Sequence, residues 1–271
     1  MNDEMRQLER KLVAFFAGRR AVRLAYLFGS AAAGRATPES DVDIGVCLED
    51  EQEETVLWRD LSRELKAEVD LVRLDVAPAS LVSAVLKQGV PLVVRDRGFY
   101  LDLLLHRTME AEDFATFADE FRKVALRSAS LSPEDRVRLL ERMQFLEEEL
   151  SEIEYFRRIT AAEYKTNKLK RRNLERWTEN IINATIDIAK LVLASQHRRM
   201  PRTYQQAMEM LASLGGVDEP GAVRFSSFAR LRNLLAHEYM EILHEHIGVF
   251  IVEFPPLYEN IASYVQSLLE D

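Results

Sequence analysis

Hydrophobic and polar positions alternate in two textures. Up to about Val94, short β-branched runs are separated by segments of helical period, the pattern of strands interleaved with helices. This predicts strands at Arg23–Phe28, Val42–Leu48, Glu68–Leu74 and Pro91–Val94, with helices over 3–18, 53–66 and 78–88. Beyond that point almost every apolar position recurs at a period near 3.6. A helix is predicted over 99–127, long ones over 133–160 and 164–197, shorter ones near 203–214 and 223–243, and a last one over 245–269. Ser132-Pro133-Glu134-Asp135 reads as an N-cap, an N1 proline and an acidic first turn, and Gly215-Gly216 and Glu219-Pro220 read as breakers. The expected architecture is α+β: an N-terminal domain with a mixed sheet over 1–128 and an all-α bundle over 129–271.

Composition narrows the function classes. The 271 residues suffice for two cores. With 36 Lys and Arg against 45 Asp and Glu, the net charge of -9 excludes a protein that coats nucleic acid by bulk electrostatics, so any such contact must be local. Cys47 is the only cysteine, which rules out an internal disulfide and multi-cysteine zinc sites and suits a reducing compartment. The first apolar stretch, Leu12 to Ala17, is too short for a signal peptide core or a membrane span. The expectation is a soluble, cytoplasmic protein with no membrane partner.

Candidate chemistry in the front half begins with Leu27-Phe28-Gly29-Ser30, followed after ten residues by Asp41-Val42-Asp43. Glycine lets a backbone approach phosphate, and the Ser30 hydroxyl with the following amides suits a triphosphate; no Walker lysine is present. Asp41 and Asp43, two apart on a predicted strand, share a face and can share hard cations such as magnesium. Asp70, on a separate predicted strand, is the natural general base or further metal ligand. Three carboxylates with a triphosphate cradle point to nucleotidyl transfer. The alternative is an ordinary turn at Gly29-Ser30 with solvated carboxylates at Asp41 and Asp43.

These residues resemble the signature of the DNA-polymerase-β-type nucleotidyltransferase superfamily: Gly-Ser, a spacer, Asp-x-Asp and a later Asp. The likeness covers about residues 20–100 and is nearest the minimal nucleotidyltransferase branch. Gly29, Ser30, Asp41, Asp43 and Asp70 match every signature position. The resemblance implies ATP as the usual donor; nothing in these residues excludes GTP or CTP.

In the back half, Leu231-Arg232-Asn233-Leu234-Leu235-Ala236-His237-Glu238-Tyr239 gathers a fixed cation, an imidazole and a phenol. Histidine is a general acid or base near neutral pH, and arginine braces phosphate in a bidentate manner, so the set suits RNA cleavage without metal. Five residues turn a helix by about 140°, so Arg232 and His237 do not share one stripe, whereas Asn233 and His237 share a face. One histidine cannot act as acid and base at once, which favours a homodimer pairing two motifs. A structural histidine on a helix is the alternative.

This Rx4HxY run looks like that of the HEPN family, and specifically the toxin of MNT-HEPN toxin–antitoxin pairs of type VII, over about residues 133–268. Arg172-Asn173-Leu174-Glu175-Arg176 and Ile181 to Ala189 resemble the same toxin's central helix. In that family the nucleotidyltransferase adenylylates a tyrosine of the toxin. The resemblance therefore makes Tyr239 the acceptor, and AMP there adds bulk and negative charge two residues from His237. Two rivals stay open: a nucleotidyltransferase acting on a small molecule such as an aminoglycoside, and a non-catalytic nucleotide sensor with a dimerisation bundle.

Lys165, Lys168, Lys170, Arg171, Arg172 and Arg176 form a basic stretch that either tracks RNA phosphates or pairs with neighbouring glutamates. His244 and His246 read as surface residues, and Cys47, Trp58 and Trp177 as packing.

Overall fold

The computed structural model describes residues 3–35, 40–50, 52–127, 130–237 and 240–270. The chain divides into two compact units, Met1–Ala115 and Thr116–Asp271.

In the first unit, α1 (Asp3–Ala17) leads into β1 (Val22–Phe28), the single turn α2 (Gly29–Ala32) and β2 (Val42–Leu48). There follow α3 (Glu53–Leu65), β3 (Val69–Arg73), α4 (Ala79–Gln88), β4 (Val90–Val94) and the start of α5 (Arg97–Arg127). The sheet order is β3-β2-β1-β4, with β2 and β3 parallel and the other two pairings antiparallel. Alternation along β2 explains both faces. Val42, Ile44, Val46 and Leu48 enter one core with Leu12 and Phe16 of α1 and Leu57 and Leu61 of α3. Cys47 joins Leu24, Tyr26, Leu74 and Val82 in the other, against which Phe99, Tyr100 and Leu103 also pack. Cys47 is fully buried, as its strand position requires. All four strands fall where the sequence places them, within a residue or two.

The second unit holds the remainder of α5 and then α6 (Pro133–Ser151), α7 (Ile153–Arg157), α8 (Ala161–Thr166), α9 (Lys168–Ser195), α10 (Tyr204–Leu214), α11 (Glu219–His237) and α12 (Met240–Glu270). The structural division precedes the polar turn near residue 128 because the later part of α5 buries Phe117, Phe121 and Val124; Phe117 meets the Tyr204 ring edge-on at 5.5 Å. Ser132 caps α6 as expected, accepting the Asp135 amide.

Two predicted helices are differently divided. The 133–160 segment breaks at Glu152. The 164–197 segment is two helices, because Asn167 accepts the amides of Leu169 and Lys170 and so starts α9 afresh; α8 begins with a capping box between Thr160 and Glu163. Glu219-Pro220 opens α11 rather than breaking the chain. Asp218 accepts the Gly221 amide, and a first-turn proline costs no helical hydrogen bond. Of the predicted 223–243 helix, the described part of α11 reaches His237 and α12 is described from Met240; residues 238–239 lie outside the described residues.

Buried aromatic rings of α9, α11 and α12 form the bundle core. Phe254 meets Phe225, Phe228 and Phe250, Phe228 also meets Phe250, and Trp177 meets Phe250 at 6.2 Å. Trp177 also stacks on Phe156 and donates to the Glu149 carbonyl at 2.8 Å. Trp58 is half-exposed and donates to the Val69 carbonyl. Among the described residues no helix is long and apolar enough to cross a membrane.

Candidate active sites

The first candidate site lies at the ends of β1, β2 and β3. Asp43 pairs across the sheet with Phe28, the last residue of β1, and in register with Asp70 on β3. Gly29 immediately follows Phe28 and has φ +69°, a left-handed conformation that suits glycine. A Cβ at Gly29 would lie 1.9 Å from Oδ2 of Asp43, so the backbone approaches that carboxylate more closely than any side chain allows. The Ser30 amide donates a hydrogen bond to the Asp43 carboxylate. The Gly-Ser turn and the Asp-x-Asp run are thus two walls of one corner.

Electrostatics reflect the crowding. Burial pushes the Asp43 carboxyl above the usual carboxylate range, the neighbouring charges of Asp70 and then Asp41 add to the shift, and the Ser30 amide opposes it. Asp41 precedes β2 and is exposed, as is Asp70. Among the described residues no three His, Cys, Asp or Glu side chains are gathered closely enough to hold a metal ion as they stand. The chemistry of the donor set nevertheless fits a divalent cation: hard carboxylate oxygens, with a mutual repulsion that a cation relieves.

The second candidate site is the end of α11. Arg232 is half-buried, and its guanidinium lies 5.0 Å from the centroid of the Tyr204 ring, on the N-terminal residue of α10. His237 is the last residue of α11, so Arg232, Asn233 and His237 occupy its final two turns. The side chains of Asn233 and His237, and Tyr239 altogether, lie outside the described residues.

The basic stretch straddles the break between α8 and α9. Lys170 pairs with Glu163 at 2.6 Å, Arg176 with Glu179 at 3.0 Å and Arg171 with Glu175 at 3.9 Å, while Lys168 and Arg172 are exposed. Much of its charge is therefore answered by adjacent glutamates. His244 departs from the surface reading: it is half-buried, with Nε2 3.1 Å from the Ile159 carbonyl and its ring 5.1 Å from Tyr164. The cause is the proximity of residues 159–164 to the start of α12, a contact between distant segments. His246 is exposed.

Sequence reasoning missed two features here. One is Tyr204 beneath Arg232; the other is the run His197-Arg198-Arg199-Met200-Pro201-Arg202, which joins α9 to α10. Its signal was available as four basic or titratable residues within six positions of a net acidic chain.

The two regions match two families. Residues 10–98 match the family described as "Polymerase beta, Nucleotidyltransferase", and residues 146–264 match "Ribonuclease HepT-like". No relative among the curated proteins matches the chain. Among solved structures, similarity is found to "the toxin-antitoxin with AMP-PNP" at 28% identity, covering 41% of this chain and 96% of that one, with a TM-score of 0.34. A chain of the toxin–antitoxin MntA-HepT matches at 25% identity, covering 42% of this chain and 97% of that one, with a TM-score of 0.32. This chain therefore joins a domain of the polymerase-beta nucleotidyltransferase family to a domain of the HepT-like ribonuclease family.

Proposed function

We propose that the protein is a fused toxin–antitoxin-like enzyme whose N-terminal domain, over 1–128, transfers AMP from ATP to Tyr239 of its C-terminal domain, over 129–271. The transfer silences a metal-independent ribonuclease. The observation that carries this reading is the joining of two such domains in one chain, with the Gly29 backbone fitted against Asp43 in the first.

Asp41, Asp43 and Asp70 would hold magnesium, which when bound neutralises triphosphate charge and polarises the α-phosphate. The Gly29-Ser30 turn leaves backbone room beside those carboxylates, and the Ser30 amide orients Asp43. Asp70, in register with Asp43, accepts the phenolic proton of Tyr239. The phenolate oxygen then forms a bond to the α-phosphorus, the bond from that phosphorus to the bridging oxygen breaks, and pyrophosphate leaves.

In the C-terminal domain, Arg232 braces the scissile phosphate, Asn233 orients the imidazole, and His237 moves the proton of the attacking 2′-hydroxyl. A homodimer through this domain supplies a second histidine for the leaving oxygen. An AMP group on Tyr239 adds negative charge and bulk two residues from His237 and so repels RNA.

The test is intact mass after incubation with ATP and magnesium, for wild type, Asp41→Ala/Asp43→Ala and Tyr239→Phe. The expected result is AMP increments in wild type alone, after confirming that the protein did not arrive modified. Labelling of an added aminoglycoside instead, or ATP binding without turnover, would replace this reading by one of its rivals.

A further inference from the structure

We propose that the loop between α9 and α10 is a docking surface for single-stranded RNA, with Arg198, Arg199 and Arg202 holding successive phosphates as the strand runs toward Arg232. The inference rests on the ribonuclease reading of the C-terminal domain and adds where its substrate lies.

Three observations lead to it. The first is charge. In a chain of net charge -9, Arg198, Arg199 and Arg202 are exposed with His197 on one short loop, and among the described residues none of the three arginines enters an ion pair. The stretch around Lys170 differs, since glutamates answer Lys170, Arg171 and Arg176. An RNA-binding surface on an acidic protein must be local, and this loop clusters three arginines left to solvent.

The second is rigidity. His197 takes a left-handed conformation at φ +50°, and the Arg198 amide donates back to the Leu193 carbonyl at 2.9 Å, closing the end of α9. Gln196 donates to the Tyr264 hydroxyl, Pro201 is buried, and the Arg202 amide donates to Gln206 at 2.7 Å. The loop is fixed at both ends while its guanidiniums point outward, so little ordering is required on binding.

The third is position. α10 and α11 form a tight antiparallel pair, so the start of α10 lies beside the last turns of α11. The Arg232 guanidinium over the Tyr204 ring fixes that junction, and Arg202 stands two residues before Tyr204. Arg198 lines a shallow cleft along α10 with Gln206, Glu209 and Met210, of which Glu209 is the acidic member. Arg202 therefore adjoins the junction that holds Arg232, the residue proposed to brace the scissile phosphate, and Arg198 flanks α10 from the same loop.

The test uses the full chain carrying His237→Ala, to prevent cleavage, and Tyr239→Phe, to prevent modification. Binding of a fluorescent single-stranded RNA oligonucleotide is measured by anisotropy from low to moderate salt, with and without Arg198→Ala/Arg199→Ala/Arg202→Ala. Each lost phosphate contact removes about 0.7 from the slope of log affinity against log salt, so the triple variant is expected to lower the slope by about 2 and weaken binding at least roughly tenfold. A merely structural role at the end of α9 would lower the melting temperature and leave the slope unchanged. An unchanged slope with RNA still bound would overturn the docking surface alone, as would a loss that follows Lys168→Ala/Arg172→Ala instead. If the parent chain binds no RNA, the ribonuclease reading falls and takes this inference with it.

Discussion

Gly29→Ala tests the link between the backbone and the Asp43 carboxylate proposed to serve catalysis. Two costs are separable. The left-handed conformation at φ +69° costs an L-residue about 1–2 kcal/mol, roughly 4–8 °C of melting temperature in a unit of this size. The new Cβ would also sit 1.9 Å from Oδ2 of Asp43, so the carboxylate must withdraw by about 1.5 Å to reach an ordinary contact, and a misplacement of even about 1 Å typically costs about 100-fold in rate. Gly34 provides the comparison, because its φ is +66° but a Cβ there meets nothing within 4 Å. Gly34→Ala is expected to lose similar stability with nucleotidyl transfer near wild type. Gly29→Ala is expected to lose that stability and about 100-fold in kcat/KM, followed by release of pyrophosphate or by AMP incorporation. Equal activities in the two variants, or wild-type activity in Gly29→Ala, would refute the idea that close approach to Asp43 is why glycine stands at this position.

Burial pushes the Cys47 thiol up to about 12, so folded protein at pH 8 should resist a thiol reagent that labels it fully in guanidinium; rapid labelling of the folded chain would contradict the assigned packing. Because the unfolded thiol ionises first, this group's contribution to stability is present at neutral pH and is lost as pH rises from about 9 toward 12, as alkaline unfolding curves of wild type and Cys47→Ala should reveal. Trp177→Phe keeps a ring against Phe156 but leaves the Glu149 carbonyl without its indole donor, and is expected to lose about 1–3 kcal/mol in urea denaturation. Gly248→Ala, in the interior of α12 with open space around it, should gain about 0.5–1 kcal/mol by the same assay.

The sequence by itself carried the strands, most of the helices and the chemistry-bearing residues, because these are written in short-range patterns. A period of two placed Val42, Ile44, Val46 and Leu48 on one face. Ser132-Pro133-Glu134-Asp135 announced a helix start through groups within one turn. Gly29, Ser30, Asp41, Asp43 and Asp70 stand at the spacing of a known signature.

What the tertiary structure decided is where distant segments meet. Periodicity could place Asp43 and Asp70 on strands but could not set their shared register, which follows from the pairing of β2 with β3. It could mark Gly29 as a turn but not bring it against Asp43, fourteen positions along, an approach set by the antiparallel pairing of β1 with β2. The division at residue 115 depends on what α5 buries, and the fresh start of α9 depends on Asn167 outcompeting a continuous helical pattern. The helical period around His244 gives no sign of its partners Ile159 and Tyr164. Local propensity is fixed by neighbours a few residues away, whereas register, burial and side-chain partners are fixed only when the chain closes on itself and excludes water.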